Sequence, residues 1–445
     1  MSTDIPGDGV AKGPDLTKRP DLTKGATGGT MTLADSDFAT DRREHDMRSA
    51  LLDYWHRIKA GELGALPAVL GLISLVALFT ALKPDTFLSK GNMANLSVQA
   101  LPITILAMGL VFVLLLGEID LAAGVASGLC AAVLAKLITD AGQPWYTAVL
   151  SGVAIGIVIG TSIGWLVSVL RIPSFVVTLA FFLGLQGVTL RLIGEGGTVP
   201  VRDDVIVALS NKNMPIWLGW ALAGVCVAGY TATQLLRWRR QHVRRLHSKP
   251  IEFVVAQCAV VAAALLISTY VLSLDRAPSP LITLGGIPWG VPLVAALLIV
   301  CTFVLGRTAY GRHIYAVGGN SEAARRAGIN VTRIRISVFM IASGLAAVSG
   351  IVAASRLNSV ATSAGGGNTL LYAVGAAVIG GTSLFGGRGK ARDAVLGGLV
   401  IALIDNGLGL LGTSAYLSYL ITGLVLLLAA SIDALARRRR SSAGR

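Results

Sequence analysis

The chain has 445 residues, 53% of them hydrophobic and 14% charged, with a formal net charge of +14 at pH 7 and a mean hydropathy of +0.70. That balance excludes a water-soluble globular chain and fits an all-α, polytopic membrane protein. The basic excess lies beside apolar spans, so it calls for no nucleic-acid partner.

Residues 1–46 mix Gly, Thr, Asp, Lys and Pro with too little apolar content to bury a core, and read as a disordered cytoplasmic tail without a signal peptide. Within 47–60, Leu51, Leu52, Trp55 and Ile58 recur at helical spacing among Arg48, Arg57 and Lys59. This suits either a helix lying on the inner leaflet or an extension of the first span.

Residues 61–436 read as the transmembrane domain. A crossing takes ~20 mostly apolar residues. Ten to twelve spans are expected, in the windows 65–82, 95–116, 121–139, 146–170, 173–193, 216–236, 252–273, 289–305, 336–356, 370–386, 394–411 and 414–432. The tenth is weakest, because GGTSLFGGRG interrupts it. In the fourth, Gly152, Gly156, Gly160 and Gly164 fall on one face and predict close helix contact in lipid. Cys130, Cys226, Cys258 and Cys301 lie inside apolar windows at spacings that suit neither zinc nor a disulfide framework, and read as packing residues.

Two segments break helical regularity, Gly117–Gly124 (GEIDLAAG) and Gly380–Gly387 (GGTSLFGG), each with Gly first and eighth and Leu fifth. Paired glycine interruptions point to discontinuous helices around a transport path, although so short a match also arises by chance. Glu118 and Asp120 sit in the first of them. They either line a path, since a carboxylate at the bilayer centre costs ~2.5–3.5 kcal/mol without partners or water, or are solvated in a cytoplasmic turn. Asp405 and Asn406 interrupt the eleventh span, and Gln99 and Gln186 lie within others. Each either hydrogen-bonds a passing polar solute or bridges helices.

Charge sets the orientation. Arg237, Arg239, Arg240, Arg244, Arg245 and Lys249 crowd one loop, six arginines crowd Gly306–Arg335, and Arg437–Arg440 fall in the basic tail 437–445. The alternate loops hold only Lys83, Lys90, Arg202, Lys212 and Arg276. The positive-inside rule places the basic loops and both termini in the cytoplasm, which makes the number of crossings even. The outer loops 274–288 and 357–369 are too short for a globular domain, so a soluble substrate receptor would be a separate chain.

The polar island 306–335 contains a short predicted helix over Glu322–Gly328, with Asn320 or Ser321 as its cap, Glu322 at the positive end of its dipole and Gly328 closing it left-handed. Such a rigid stub suits docking to another protein. No G-x-x-x-x-G-K-[ST] occurs, since Gly389-Lys390 is followed by Ala391. ATP hydrolysis would therefore belong to a partner. No cofactor or metal is expected; His45, His56, His242, His247 and His313 all lie in polar regions.

From about residue 65 onward the chain resembles the membrane-permease subunits of bacterial ATP-binding-cassette importers for monosaccharides. The motifs are GEIDLAAG (117–124), IPSFVVTLA (172–180), GRHIYAVGGNSEAARRAGINV (311–331), VIGGTSLFGG (378–387) and DNG (405–407). Glu118, where many relatives carry Gly, and the basic 237–249 insertion are similar to the xylose type. The resemblance implies a homodimer of permease copies in the bacterial inner or plasma membrane, in contact with lipid. It also implies cytoplasmic ATPase subunits into which Glu322, Ala323, Ala324 and Gly328 dock, and an extracytoplasmic sugar-binding protein that delivers substrate. Ala122 and Ala123 depart from the usual Ser-Val, residues 388–393 (RGKARD) are more charged than usual, and the 46-residue tail has no familiar counterpart. A proton-coupled sugar transporter is the alternative, and a channel or scaffold a further one.

Overall fold

The computed structural model describes residues 66–243, 250–277 and 284–442. The predicted tail 1–46, the candidate interfacial helix 47–60, residues 244–249 of the basic loop and the last three residues of the basic tail lie outside them.

In chain order, α1 (Leu66–Leu82) and a single turn α2 (Pro84–Phe87) precede α3 (Lys90–Leu115). After the first glycine break come α4 (Ala123–Thr139), α5 (Trp145–Ser168) and α6 (Ser174–Ile193). Then β1 (Thr198–Pro200) leads through α7 (Asp204–Asn211) to α8 (Ile216–Val243), α9 (Ile251–Ser273) and α10 (Gly290–Arg307). The island forms α11 (Ala309–Gly319) and α12 (Ser321–Arg326), followed directly by α13 (Val331–Leu357). The chain closes with β2 (Ser359–Ala361), α14 (Thr369–Ile379), α15 (Ala391–Leu410) and α16 (Ala415–Ser442).

All twelve predicted windows contain a helix. Among the described residues eight helices, α3, α5, α6, α8, α9, α10, α13 and α15, are long and apolar enough to cross a membrane, and shorter apolar stretches fill the other four windows. The protein is a multi-pass membrane protein. The tenth window departs most from expectation. Its helix α14 has only 11 residues, about 16 Å at 1.5 Å per residue against a ~30 Å hydrocarbon core. The GGTSLFGG segment lies after this helix as the turn into α15, not inside a span. The missing length of the span precedes α14, where residues 362–368 run as non-helical chain against the first turns of α4. There Gly365 faces Gly124, and Gly128 faces Ala364 so closely that a Cβ would overlap backbone. Non-helical chain at such depth is tolerated where protein covers it.

The core is built from α3, α13, α15 and α4, whose buried faces include Ile105, Met108, Phe112, Leu129, Phe339 and Ile401. The outer helices α8 and α9 bury only a few side chains, Gly219 and Ala223 on one and Cys258, Thr269 and Leu272 on the other. Their exposed Val225, Val260 and Ile267 suit contact with lipid. The glycine stripe of α5 behaves as its spacing predicts. A Cβ at Gly156 would lie 2.6 Å from the Ser343 carbonyl oxygen, one at Gly160 would overlap the Phe339 carbonyl, and one at Gly164 would lie 2.7 Å from Ile336 Cα. These partners descend along α13 as the glycines ascend α5, so the two helices are antiparallel. The C-terminal end of α5 therefore meets the N-terminal end of α13, which identifies an island end of the bundle. At the opposite end, β1 pairs antiparallel with β2, with Val199 opposite Val360, and α7 is fixed to α13 by Asn211 Nδ2 donating to the Ser355 carbonyl at 2.6 Å.

Two glycines separate packing from propensity. Gly160→Ala is expected to destabilise the purified protein by roughly 1–3 kcal/mol through overpacking, whereas Gly184→Ala on α6, where a Cβ meets nothing within 4 Å, is expected to leave it unchanged or slightly firmer. Thermal midpoints in detergent check this, and equal losses at both positions would contradict the packing account.

Candidate functional site

The island is more structured than its sequence suggested, with two helices where one was expected. The first, α11, begins at Thr308, whose hydroxyl accepts from the Gly311 amide at 3.0 Å. Its buried residues Gly311, Ile314 and Val317 recur at helical spacing, and this amphipathic signal was present in the sequence. Two tyrosines tie it down: Tyr310 Oη lies 2.7 Å from Ser337 Oγ, and Tyr315 Oη donates to the Gly389 carbonyl at 2.7 Å.

The second helix, α12, is closed at both ends. Asn320, rather than Ser321, is the cap; its side-chain oxygen accepts from the Glu322 amide at 3.1 Å and the Ala323 amide at 2.9 Å. At the other end Gly328 has φ +82, its amide donates to the Arg325 carbonyl, and the Ile329 amide donates to Ala324, both at 3.0 Å. This pair of bonds is the Schellman pattern, and it needs a left-handed residue where Gly328 stands. Glu322 lies 3.8 Å from Arg325 and 3.7 Å from Arg326, both long and exposed ion pairs. Ala324 alone of the helix is buried, so Glu322, Ala323, Arg325, Arg326 and Gly328 all face outward.

Beneath this stub the two glycine-broken segments meet. The Gly387 amide donates to the Leu115 carbonyl at 2.8 Å, supplying a partner to one of the free acceptors at the end of α3. Gly318, near the end of α11, packs on the same carbonyl and on the Gly387 amide, with no room for a Cβ. Gly386, at φ +84, lies against the Gly117 amide, where a Cβ would approach to 2.9 Å. The charged run 388–393 also has a local use: Asp393 accepts from the Lys390 amide at 2.8 Å and from the Thr382 hydroxyl at 3.3 Å, capping α15 and bracing the turn.

The two carboxylates of the first break have different surroundings. Glu118 forms an ion pair with Arg335 at 3.2 Å at the island end. Asp120 is 2% exposed, and one of its oxygens accepts from the Ala122 amide at 2.9 Å at the start of α4. Its other oxygen has no hydrogen-bond partner among the described residues. Glu118, Arg325, Arg335 and Arg171 border a cavity of about 250 Å³ beside α12.

The other polar candidates fall elsewhere. Asn406 and Asn92 exchange two amide hydrogen bonds of 2.9 Å, and Asn92 also donates to the Phe87 carbonyl at 2.8 Å. Asn406 is therefore a bridge between α3 and α15. Its neighbour Asp405 is exposed on α15 and accepts from Gln99 at 3.0 Å, with Arg356 and Tyr372 close enough to feel its charge. Gln186 stands apart on α6, against Gly366 of the non-helical stretch. The candidates thus form three groups, at the island end, at the Asp405 patch and at Gln186. Sequence reasoning missed Asn92 and the pairing role of Arg335, whose partners are distant along the chain, and Arg171, which borders the same cavity as Arg335. Among the described residues no group of three or more His, Cys, Asp or Glu could hold a metal ion.

Residues 92–430 match the family described as branched-chain amino acid transport system / permease component. The chain is 33% identical over 382 residues to the xylose transport system permease protein XylH of Escherichia coli, covering 86% of this chain and 94% of that protein. It is 32% identical to the XylH of Haemophilus influenzae, covering 85% and 98%, and 29% identical to the ribose import permease protein RbsC of Escherichia coli, covering 82% and 92%. No solved structure matches. With a matched region that takes in both glycine breaks, the capped island and the core helices, the chain belongs to the family of transport-system permease components.

Proposed function

We propose that this protein is the membrane-spanning subunit of an ATP-binding-cassette importer that carries a pentose, D-xylose, into the bacterial cell. The observation that carries the reading is α12. It is six residues long, capped at both ends, turned outward, and seated by way of α11 on the junction of the two glycine breaks. The near full-length similarity to two xylose permeases supports the choice of sugar.

In this reading the island end faces the cytoplasm of a cell whose inner membrane holds the protein. The ends of α8 and α10 and the start of α13 bring basic residues to that end, as the positive-inside rule asks. A separate ATPase subunit grips Glu322, Ala323 and Gly328 with Ala324 as the inward anchor, and the chain itself needs no cofactor. An extracytoplasmic sugar-binding protein meets the opposite end. A second copy of the chain covers the Asp405 patch, because an exposed carboxylate within a span is costly against lipid. Gln99, Asp405 and Gln186 remain the candidates for contact with the sugar, whereas Glu118, Asp120 and Asn406 hold the frame.

The exposed pairs of Glu322 are worth little to the fold, ~0–1 kcal/mol, so Glu322→Lys is expected to insert normally and yet to abolish xylose uptake and capture of the ATPase. Gly328→Pro, which forbids the left-handed cap, is expected to do the same. Normal uptake by either variant would remove the docking role. The proton-coupled alternative draws on Glu118, Asp120 and Asp405 as its candidate titratable groups. Uptake in vesicles with ATP held constant is expected to survive an uncoupler, and collapse of uptake would favour that alternative instead.

A further inference from the structure

The cavity beside α12 carries a property that transport does not require. It is bordered by Arg171, Arg325 and Arg335 against one acid, Glu118, which is already engaged with Arg335. Arg325 has only its long contact with Glu322, and Arg171 makes no ion pair among the described residues. Ser168 lines the same space, and its buried hydroxyl has no hydrogen-bond partner among the described residues. Two helix starts open onto it, α6 at Ser174 and α13 at Val331, and no side chain caps the first of these. Positive helix ends and unpaired amides add to the arginine charge. At about 250 Å³ the space equals that of about eight waters, each with a share of ~30 Å³.

Its surroundings identify the class of anion. The turn between α5 and α6 places Arg171 at φ +58, an uncommon conformation for a residue with a Cβ. On both sides of that turn the surface is apolar and exposed: Trp165 and Leu170 on the α5 side, Phe175 and Val176 on the α6 side. These shoulders belong to membrane-crossing helices, so the cavity mouth lies where headgroups meet acyl chains. A basic pocket between spans at that level suits a lipid phosphate.

We propose that this cavity binds the phosphate of an anionic phospholipid, with Arg171, Arg325 and Arg335 around the headgroup and the acyl chains over Leu170 and Phe175. The bound lipid would bridge α12 to the α5–α6 turn and steady the stub in the orientation seen here. The proposal stands independently of the sugar and of the ATPase.

Native mass spectrometry of the full-length protein with phosphatidylglycerol and phosphatidylcholine in equal amounts tests it. The unaltered chain is expected to retain one phosphatidylglycerol in preference to phosphatidylcholine. Arg171→Gly removes the charge while suiting the backbone at φ +58, and is expected to reduce that preference about fivefold, the worth of one basic side chain near an anionic surface. Arg171→Lys is expected to keep it, and unchanged thermal midpoints show that both variants fold. Equal preference in Arg171→Gly and the unaltered chain would overturn the assignment. So would inorganic phosphate that binds alone more tightly than the lipid, which would make free phosphate the ligand. If no lipid preference appears but Arg171→Gly weakens capture of a protein partner, the occupant is an acidic segment and the lipid assignment fails.

Discussion

The Leu115 carbonyl, at the end of the most buried helix, is the point on which the island end depends. Helix ends leave acceptors without partners, and in a dry setting each must be supplied with one. Here the donor is the Gly387 amide, which arrives from the second glycine break at 2.8 Å. The approach works because Gly318 and Gly386 leave space where any Cβ would strike backbone. One hydrogen bond thus gathers the end of α3, the turn into α15 and the end of α11. The paired breaks are two halves of this joint.

That joint explains how the polar residues of the chain divide. Those that must stay in place have reciprocal or backbone partners: Asn406 with Asn92, Asp393 with Lys390 and Thr382, Asp120 at the start of α4. They satisfy groups that the fold itself leaves open. Asp405 differs, since it is exposed on a helix otherwise largely buried and has Gln99 as its one hydrogen-bonded side chain among the described residues. Adjacent residues on one helix have taken opposite roles, because a step of one residue turns the side chain by about 100°.

Much of this was legible in the sequence where the signal is local. The apolar windows, the four-residue glycine stripe of α5 and the caps of α12 all depend on neighbours a few positions apart, and each is seen as expected. One local signal was passed over, the spacing of Ile314 and Val317 that marks α11. The run 357–369 was read as an outer loop, whereas its residues 362–368 lie against the first turns of α4 as the non-helical half of the tenth span. What the sequence could not supply is pairing across distance. Asn92 lies 314 positions from Asn406, and the β1–β2 pair joins Thr198 to Ala361. No periodicity encodes such partners, so Glu118 could be weighed between path and turn but not matched to Arg335.

A mechanical consequence follows from the continuity of α13. It begins five residues after α12 ends, runs 27 residues or about 40 Å, and packs on α3, α4 and α5 along its length. Its far end passes into β2, and from there into the stretch that lies against the start of α4. The glycine contacts with α5 are backbone to backbone, so α13 cannot roll without moving α5, because close-packed interiors transmit displacement rather than absorb it. A push on α12 therefore meets one stiff, buried element that connects both ends of the bundle. The loosely buried α8 and α9 stand outside that route.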